Sequence, residues 1–156
     1  MSADREVRGI RPADAGEVLT LQRAAFVQEA QTYGDADMPA LTQTLEQLEA
    51  ELVGNLGCVV VDDGRVVGAV RAIAADGLLL IGRMCTAPDA QGSGIGSELL
   101  AAVEQRGREA GCRAAELFTG SRSEANLRLY QREGYRESTR VDQGDGTAQV
   151  FLRKPL

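Results

Sequence analysis

The chain has 156 residues, which is the size of one domain and enough to bury a hydrophobic core without disulfides or metals. Hydrophobic residues make up 44% of it and charged residues 26%, the range of ordinary globular proteins. The formal net charge of −6 argues against nucleic-acid binding, because no basic stripe is available to neutralise phosphates. We therefore predict a single domain over residues 1–156.

The sequence contains no histidine, which excludes Ser-His and Cys-His nucleophilic pairs and histidine-ligated zinc. Chemistry must use carboxylates, tyrosine, backbone amides or bound water, and no metal site is predicted. Cys58, Cys85 and Cys112 lie in apolar stretches without a Cys-x-x-Cys pair, as expected of buried thiols in a reducing compartment. A charged segment follows Met1, and no stretch approaches the about 20 apolar residues that span a bilayer. We therefore expect a cytoplasmic location and no membrane partner.

Hydrophobic periodicity and turn residues predict a mixed order of helices and strands. Asp14 is the expected N-cap of the first helix. The predicted elements are, in chain order, a strand at 7–11, a helix beginning at 13, a loop at 33–39, a helix at 42–53, a hairpin of strands at 58–61 and 66–74, a strand at 78–86, a helix ending at Gly111, a strand at 114–119, a helix at 123–133, and a hairpin of 135–141 and 148–153.

A glycine-rich run, Gln91-Gly92-Ser93-Gly94-Ile95-Gly96, directly follows a predicted strand and opens a predicted helix. Glycines at alternate positions lack the Cβ atoms that would keep an anion away, and they let backbone N–H groups point into one concavity. The helix start adds a partial positive charge, and each amide bonded to a charged oxygen contributes about 1.5–3 kcal/mol. We therefore predict that this run binds a diphosphate.

Two common phosphate ligands do not fit the spacing of this run. A P-loop requires Lys and then Ser or Thr after its last glycine, whereas Ser97 and Glu98 follow Gly96. The dinucleotide fingerprint places its third glycine further from the second than Gly96 lies from Gly94. Glu116 lies at about the distance at which such sites hold a ribose, so a nucleotide-binding module stays open as an alternative.

Thr86-Ala87-Pro88, the run at 91–96 and Leu99-Leu100 together resemble the acetyl-coenzyme A motif of the GNAT superfamily of N-acetyltransferases, Gln/Arg-x-x-Gly-x-Gly/Ala. Asn126-Leu127-Arg128-Leu129-Tyr130 with Gly134-Tyr135 resembles that family's second motif, a Leu-Tyr pair followed by glycine and an aromatic residue. The order of elements from Val7 to Arg153 also fits the family. The resemblance implies a mixed α/β fold with a mostly antiparallel sheet, a central parallel pair of splayed strands and about four helices.

The resemblance further implies that acetyl-coenzyme A is the co-substrate and that its pantetheine arm lies between the splayed strands, against the backbone of Met84 and Thr86. An extended ligand that adds itself to a strand edge is a known recognition mode. The side chains of Met84 and Cys85 are equally consistent with core packing. The predicted cofactor-binding residues are Met84, Cys85, Thr86, Gln91, Gly92, Ser93, Gly94, Ile95, Gly96, Ser97, Asn126 and Tyr130.

Tyr130 is the candidate catalytic acid. The pKa of a phenol, about 10, is close to that of a thiol, about 8.5, so the hydroxyl can protonate or hydrogen-bond a departing thiolate. In the family the matching tyrosine has this role, and the alternative is a tyrosine that only packs on the core. Asn126, one turn earlier on the same face, can bind the pantetheine or a neighbouring group. Where the family often has asparagine, seven positions before the tyrosine, this chain has Ser123.

The acceptor side of the predicted site carries no motif. An attacking amine must lose a proton to a carboxylate or an ordered water, and Glu116 is the candidate catalytic base. Glu29 and Asp35 can also reach the acceptor mouth, and the alternative for all three is a solvated surface carboxylate. Arg71 and Arg83 stand in apolar strands, where each either pairs with an acid such as Glu116 or receives a substrate carboxylate; we favour the pair.

The predicted function is transfer of an acetyl group from acetyl-coenzyme A to the primary amine of a small molecule by direct attack. A backbone amide at a strand bulge would stabilise the oxyanion. Cys85 has no evident neighbouring base and is a weak candidate for a covalent relay. The alternatives are a non-catalytic acyl-coenzyme A binding or sensing domain and a protein or peptide N-acetyltransferase. Dimers are common in the family, so a homodimer is a further partner to test.

Overall fold

The computed structural model describes residues 4–156, which form a seven-stranded sheet and six α-helices. The strands are β1 (Arg5–Gly9), β2 (Cys58–Asp62), β3 (Arg65–Ala75), β4 (Leu78–Thr86), β5 (Ala114–Gly120), β6 (Arg136–Asp142) and β7 (Ala148–Pro155). The helices are α1 (Ala15–Ala25), α2 (Val27–Tyr33), α3 (Pro39–Thr42), α4 (Leu45–Leu52), α5 (Ile95–Glu109) and α6 (Glu124–Arg132).

The sheet has the order β1-β2-β3-β4-β5-β7-β6. All neighbouring strands are antiparallel except β4 and β5, which are parallel and joined through α5. The predicted mixed fold, with a mostly antiparallel sheet and a central parallel pair, is confirmed. The final hairpin folds back so that β7, not β6, lies beside β5.

The two predicted tight turns between β2, β3 and β4 form where expected. Asp63 and Gly64 have φ of 53° and 77°, and Asp76 and Gly77 have φ of 53° and 79°. Two successive positive φ values match the right-handed twist of a hairpin, and Asp and Gly tolerate them. β4 consequently has the predicted bounds, which fixes where the glycine run begins.

Several helix and strand ends differ from the sequence prediction. β1 ends at Gly9 instead of residue 11, and α1 begins at Ala15, after a 3-10 turn. The Asp14 carboxylate does not cap α1, because it accepts hydrogen bonds from the Arg8 guanidinium at 2.9 Å and from the Arg11 amide at 2.8 Å. The helix predicted at 42–53 begins at Leu45, since the Thr44 hydroxyl caps it. Two short helices, α2 and α3, add to the about four that were predicted.

The helices cover both faces of the sheet. On β3, a Cβ at Gly68 would touch Ile95 and Leu99, so α5 lies on the face that Gly68 presents. Arg71, three residues later, faces the opposite side, where Gln22 of α1 receives its hydrogen bond. The sheet between these layers carries the buried core.

Arg71 is 3% exposed and is held by groups of α1, α4 and the turn before α4. Its guanidinium donates to Gln22 Oε1 at 2.8 Å and to Gln43 Oε1 at 3.2 Å, and its Nε is ion-paired with Glu51. The predicted structural pair therefore exists, but its acid is Glu51 instead of Glu116, because α4 packs on this face of β3. These contacts of Arg71 hold α1 and α4 on this face of β3.

Candidate functional site

β4 and β5 separate halfway along their length. Their parallel pairing covers only three residues, which end at the pair Leu80 and Glu116, whereas β4 continues to Thr86 and β5 to Gly120. The register of β4 against β3 also shifts at this level, and Arg83 has φ of 52°, which marks a bulge. The facing edges of both strands therefore have backbone groups free for a ligand over the splayed segment.

The glycine run forms an open loop at the wide end of this gap. Gly92 and Gly94 have φ of 81° and 82°, and a Cβ on either would meet no atom within 4 Å. Among the described residues, the backbone N–H groups from Gly92 to Ser97 donate no hydrogen bond. The loop and the first turn of α5 thus present a row of unused donors, which is the arrangement that binds phosphate oxygens.

The loop is held from behind by side chains outside the run. Arg5 of β1 donates to the Ser93 carbonyl at 3.0 Å and to Glu98 of α5 at 3.0 Å. The Ser93 hydroxyl donates to the Ala90 carbonyl at 2.6 Å, so this predicted ligand-binding side chain is used within the loop. These contacts leave the backbone N–H groups as the free polar groups of the run.

A cavity of about 660 Å³ joins the glycine loop, the splayed end of β4, and helices α1, α2 and α6. Of the twelve residues predicted to bind the cofactor, only Ser93 and Tyr130 do not line it. The lining residues among them are Met84, Cys85, Thr86, Gln91, Gly92, Gly94, Ile95, Gly96, Ser97 and Asn126. The structure therefore brings most of the predicted set to one cavity.

Gly96 brings α5 and α6 into direct contact. A Cβ at Gly96 would lie 2.8 Å from Leu129 Cδ2 of α6 and 3.8 Å from the Met84 side chain. The third glycine of the run thus serves helix packing, whereas Gly92 and Gly94 keep the loop open. Asn126, on the same helix, lines the cavity and donates a long hydrogen bond of 3.3 Å to Thr119 Oγ1.

Tyr130 is buried on α6, at 6% exposure, beside the cavity. Its ring meets Tyr135 edge-on at 6.2 Å, and Tyr135 in turn donates to Glu104 of α5 at 2.7 Å. The Tyr130 hydroxyl makes no hydrogen bond to a described residue. Burial raises the pKa of Tyr130, and the Glu29 carboxylate raises it further, so the phenol stays protonated. A protonated hydroxyl without a protein partner can donate to a ligand.

A hydrogen-bonded chain connects α2 to the start of α6 at the cavity wall. The Ser123 hydroxyl donates to Glu29 Oε2 at 2.9 Å, and Ser123 Oγ lies 2.7 Å from Tyr33 Oη. Tyr33 Oη also accepts from the Arg122 amide at 3.0 Å. A Cβ at Gly120 would overlap the Tyr33 ring, so glycine is required there. Glu29 and Ser123 line the cavity, which places an oriented carboxylate at its wall.

Two other predicted acids do not reach the cavity. Glu116 lies on β5 opposite Arg153 of β7, whose Nε donates to it at 2.7 Å, and it is not among the lining residues. Asp35 is exposed and accepts from the Asp37 amide at 3.1 Å. The structure therefore brings neither carboxylate to the site, and of the three only Glu29 is there.

Cys85 is buried, and burial raises the pKa of its thiol to about 12. The thiol is therefore un-ionised near neutral pH, where a nucleophilic cysteine needs thiolate character. Cys58 and Cys112 are also buried and free. Within residues 4–156, no group of His, Cys, Asp and Glu side chains is placed to hold a metal ion.

The charged side chains that line the cavity are more often positive than negative. Arg122, Arg128 and Arg132 line it, against Glu29 and Glu124. Arg128 and Arg132 are four residues apart on α6 and therefore share one face of that helix. The cavity thus carries a positive excess in a chain whose net charge is −6.

A model of the acetyltransferase (GNAT) family matches residues 17–135, which is more than half of the chain. The chain belongs to the GNAT family. It is accordingly an acyltransferase enzyme, as the sequence resemblance predicted. That resemblance rested on the glycine run at 91–96 and on the second motif, Asn126 to Tyr130 with Gly134-Tyr135, both of which lie within the matched residues.

Similar proteins agree with the family and with the fold. The IAA acetyltransferase of Azospirillum brasilense is 26% identical over 154 residues, which cover 98% of this chain and 85% of that protein. The PaiA N-acetyltransferase of Thermoplasma acidophilum, solved in complex with coenzyme A, matches with a TM-score of 0.81 at 18% identity over 100% of both chains. The protein yncA of Salmonella typhimurium, solved with its cofactor acetyl-CoA, matches with a TM-score of 0.76 at 19% identity over 98% of this chain and 94% of its own.

In residues 4–156, no helix combines the length and the apolar composition that a membrane crossing requires.

Proposed function

We propose that this GNAT enzyme transfers an acetyl group from acetyl-coenzyme A to the primary amine of a small molecule. The observation that carries the proposal is the row of unused backbone N–H groups from Gly92 to Ser97, open to the same cavity as the splayed strands. A diphosphate fits such a row, and the amide-bearing pantetheine arm fits the free strand edges beyond Leu80. Two of the similar structures contain coenzyme A or acetyl-CoA, which supports this choice.

The proposed donor site also uses the positive side of the cavity. Arg128 and Arg132 line it on the exposed face of α6 and offer counter-charges to the remaining phosphate of coenzyme A. Surface arginines bind phosphate bidentately but contribute modestly because water and salt screen them. They therefore supplement the glycine loop, which supplies the oriented donors.

In the proposed reaction Glu29 accepts a proton from the ammonium form of the acceptor. The free amine attacks the thioester carbon, a C–N bond forms, and the backbone amides at the bulge around Arg83 stabilise the oxyanion. The C–S bond then breaks and its electron pair leaves with sulfur, to which the Tyr130 hydroxyl donates a hydrogen bond. The nitrogen loses its second proton, which the sulfur takes up, and Glu29 releases the first proton to solvent. The products are the acetamide, the coenzyme A thiol and that proton.

Glu29 replaces Glu116 as the proposed base because its carboxylate lines the cavity and is fixed by Ser123. Ser123 is itself held by Tyr33, so the carboxylate oxygen has a defined direction. Burial raises the pKa of Tyr130, and the Glu29 carboxylate raises it further, so the proposed acid keeps its proton. An acid and a base on either side of the thioester are what general acid–base catalysis requires.

The test of the proposed function is thiol release from acetyl-coenzyme A across a panel of primary amines, with formation of the acetamide followed by mass spectrometry. Amine-dependent release is the expected result. Binding of coenzyme A without release would instead make the chain a non-catalytic binding domain. Tight binding of NAD or ATP and none of coenzyme A would contradict the donor assignment itself.

The proposed base is tested by Glu29→Gln, with Glu124→Gln as the matched control because both acids line the cavity. Loss of a general base lowers the rate by roughly 10²–10⁴-fold, so we expect Glu29→Gln to lower kcat/KM for the amine on that scale. Binding of coenzyme A should stay unchanged, because the carboxylate acts on the amine. An equal loss in Glu124→Gln, or an unchanged kcat/KM in Glu29→Gln, would rule out this assignment.

A further inference from the structure

Two phenylalanines form an exposed aromatic pair on the sheet. Phe118 of β5 and Phe151 of β7 are direct partners across the strands, with ring centroids 5.2 Å apart and planes inclined by 33°. Phe118 is 52% exposed. The two contacting rings form a contiguous apolar patch instead of a single scattered side chain. We refer to Phe118 and Phe151 as the aromatic pair.

The aromatic pair lies on the splayed segment of β5. Phe118 comes two residues after Glu116, at which pairing with β4 ends, and two residues before Gly120. Side chains alternate along a strand, so Phe118 faces the side on which a Cβ of Gly120 would stand. The Tyr33 ring occupies that space above Gly120. Phe118 is therefore the next residue on this face of β5 after the position that Tyr33 covers.

The neighbourhood of Tyr33 is the acceptor side of the proposed active site. Tyr33 lies 2.7 Å from Ser123 Oγ, and Ser123 donates to Glu29, the proposed base. Two residues along a strand span roughly 7 Å, so Phe118 lies about 7 Å along β5 from Gly120, where the Tyr33 ring packs. The aromatic pair does not line the cavity itself; it lies outside it, on the same face of β5, beyond the wall that Glu29 and Ser123 form.

Across the gap, β4 leaves this face open. Leu80 pairs with Glu116, so Leu80 and Gly82 share the face of Phe118 by alternation. A Cβ at Gly82 would meet no atom within 4 Å. A group bound over the aromatic pair therefore has room to extend toward the bulge of β4, where the proposed reaction takes place.

We propose that the aromatic pair binds the acceptor, and that the acceptor is a primary amine joined by a short linker to a flat aromatic group. The ring would stack on Phe118 while the ammonium reaches Glu29. This rests on the proposed function, whose base and bulge define where the amine must lie. Aromatic stacking adds to the burial of apolar area, which selects ring-bearing amines over aliphatic ones by roughly tenfold.

The size of the apolar surface favours a small molecule over a second copy of the chain. The exposed apolar side chains near this face are Phe118 at 52%, Ile73 at 54% and Val141 at 46%. Half-exposed side chains of this size offer on the order of 100 Å² each, whereas a stable protein interface needs about 800 Å² per partner. The exposed area of the aromatic pair alone matches the area of one aromatic ring of a small molecule.

The test compares 2-phenylethylamine with n-propylamine in the wild type, in Phe118→Ala and in Ile73→Ala. Ile73 is the matched control, because it is equally exposed on the same face but lies on β3, separated from β5 by β4. We expect Phe118→Ala to raise KM for 2-phenylethylamine roughly tenfold and to leave KM for n-propylamine and acetyl-coenzyme A unchanged. Phe118→Tyr, which keeps the ring, should restore the preference.

Calorimetric binding of 2-phenylethylamine in the presence of coenzyme A gives a readout that does not depend on turnover. A tenfold loss of this affinity in Phe118→Ala supports the proposal even if no amine is acetylated. The absence of acetylation would overturn the proposed function and leave the binding proposal standing. The proposal is overturned if Phe118→Ala leaves this affinity unchanged, if the wild type does not bind 2-phenylethylamine, or if Ile73→Ala loses as much affinity as Phe118→Ala. A change of sedimentation in Phe118→Ala would assign the face to self-association instead. Unchanged unfolding temperatures exclude misfolding.

Discussion

Substitution of Gly94 by glutamate tests the donor site directly. Gly94 has φ of 82°, and a Cβ there points into open space, so a side chain is accommodated by the fold but enters the volume assigned to the diphosphate. The change therefore separates ligand binding from folding. A glutamate brings both bulk and negative charge to the place where negative oxygens are expected.

The expected magnitude follows from the N–H groups of the loop. If the new side chain prevents two charged oxygens from reaching their amides, the loss is about 3–6 kcal/mol, at 1.5–3 kcal/mol for each bond. A carboxylate about 5 Å from a phosphate oxygen adds a repulsion of roughly 3 kcal/mol at an effective dielectric constant of 20. We expect at least a hundredfold rise in Kd for coenzyme A, since about 1.4 kcal/mol corresponds to a factor of ten.

The measurement is isothermal titration calorimetry of coenzyme A, with Gly94→Ala as the matched control. Both substitutions carry the strain of a left-handed backbone, roughly 1–2 kcal/mol, so their unfolding temperatures should fall together. Alanine adds neither charge nor length, and its Kd should rise much less. If the two variants bind coenzyme A with Kd values within threefold of each other, the loop does not hold the diphosphate.

Three further outcomes are expected. Tyr130→Phe should lower kcat at least tenfold while Kd for coenzyme A changes less than twofold, because the hydroxyl acts on the departing sulfur; an equal loss in both would make it a packing residue. Arg132→Ala should weaken coenzyme A severalfold in low salt but leave dephospho-coenzyme A unchanged, as measured by calorimetry. Asp14→Asn should lower the unfolding temperature at pH 7. The Arg8 guanidinium lowers the pKa of Asp14 below its unfolded value of about 3.9, so this stabilisation is present above pH 4 and is lost in acid, where the two proteins should converge.

Local signals made the donor half of the site predictable. Asp63-Gly64 and Asp76-Gly77 favour positive φ whatever surrounds them, so the turns and the bounds of β4 followed from neighbouring residues. The glycine run likewise carries its chemistry in its own backbone. These features depend on residues close in sequence, and the structure has them where the pattern indicated.

The acceptor half depends on contacts between distant parts of the chain, which periodicity does not report. Tyr33 and Ser123 are separated by 90 positions in the sequence. The local signal for their contact is Gly120, which lies in a strand instead of a turn and leaves room for a ring over β5. Glu116 was predicted to be a catalytic base, whereas it is ion-paired on the sheet outside the cavity. Its partner Arg153 was missed, because β7 had to be placed beside β5 first.

One helix, α6, touches both halves of the proposed site. Leu129 packs against Gly96 at the donor loop, whereas Ser123, immediately before the helix, holds Glu29 at the acceptor side. Any shift of α6 that a bound donor causes is therefore transmitted to the proposed base. Thermodynamic linkage then requires reciprocity: the factor by which acetyl-coenzyme A changes the affinity for the amine is the factor by which the amine changes the affinity for acetyl-coenzyme A. A side chain at Gly96, which would displace Leu129 of α6, is therefore expected to change the affinity for both substrates.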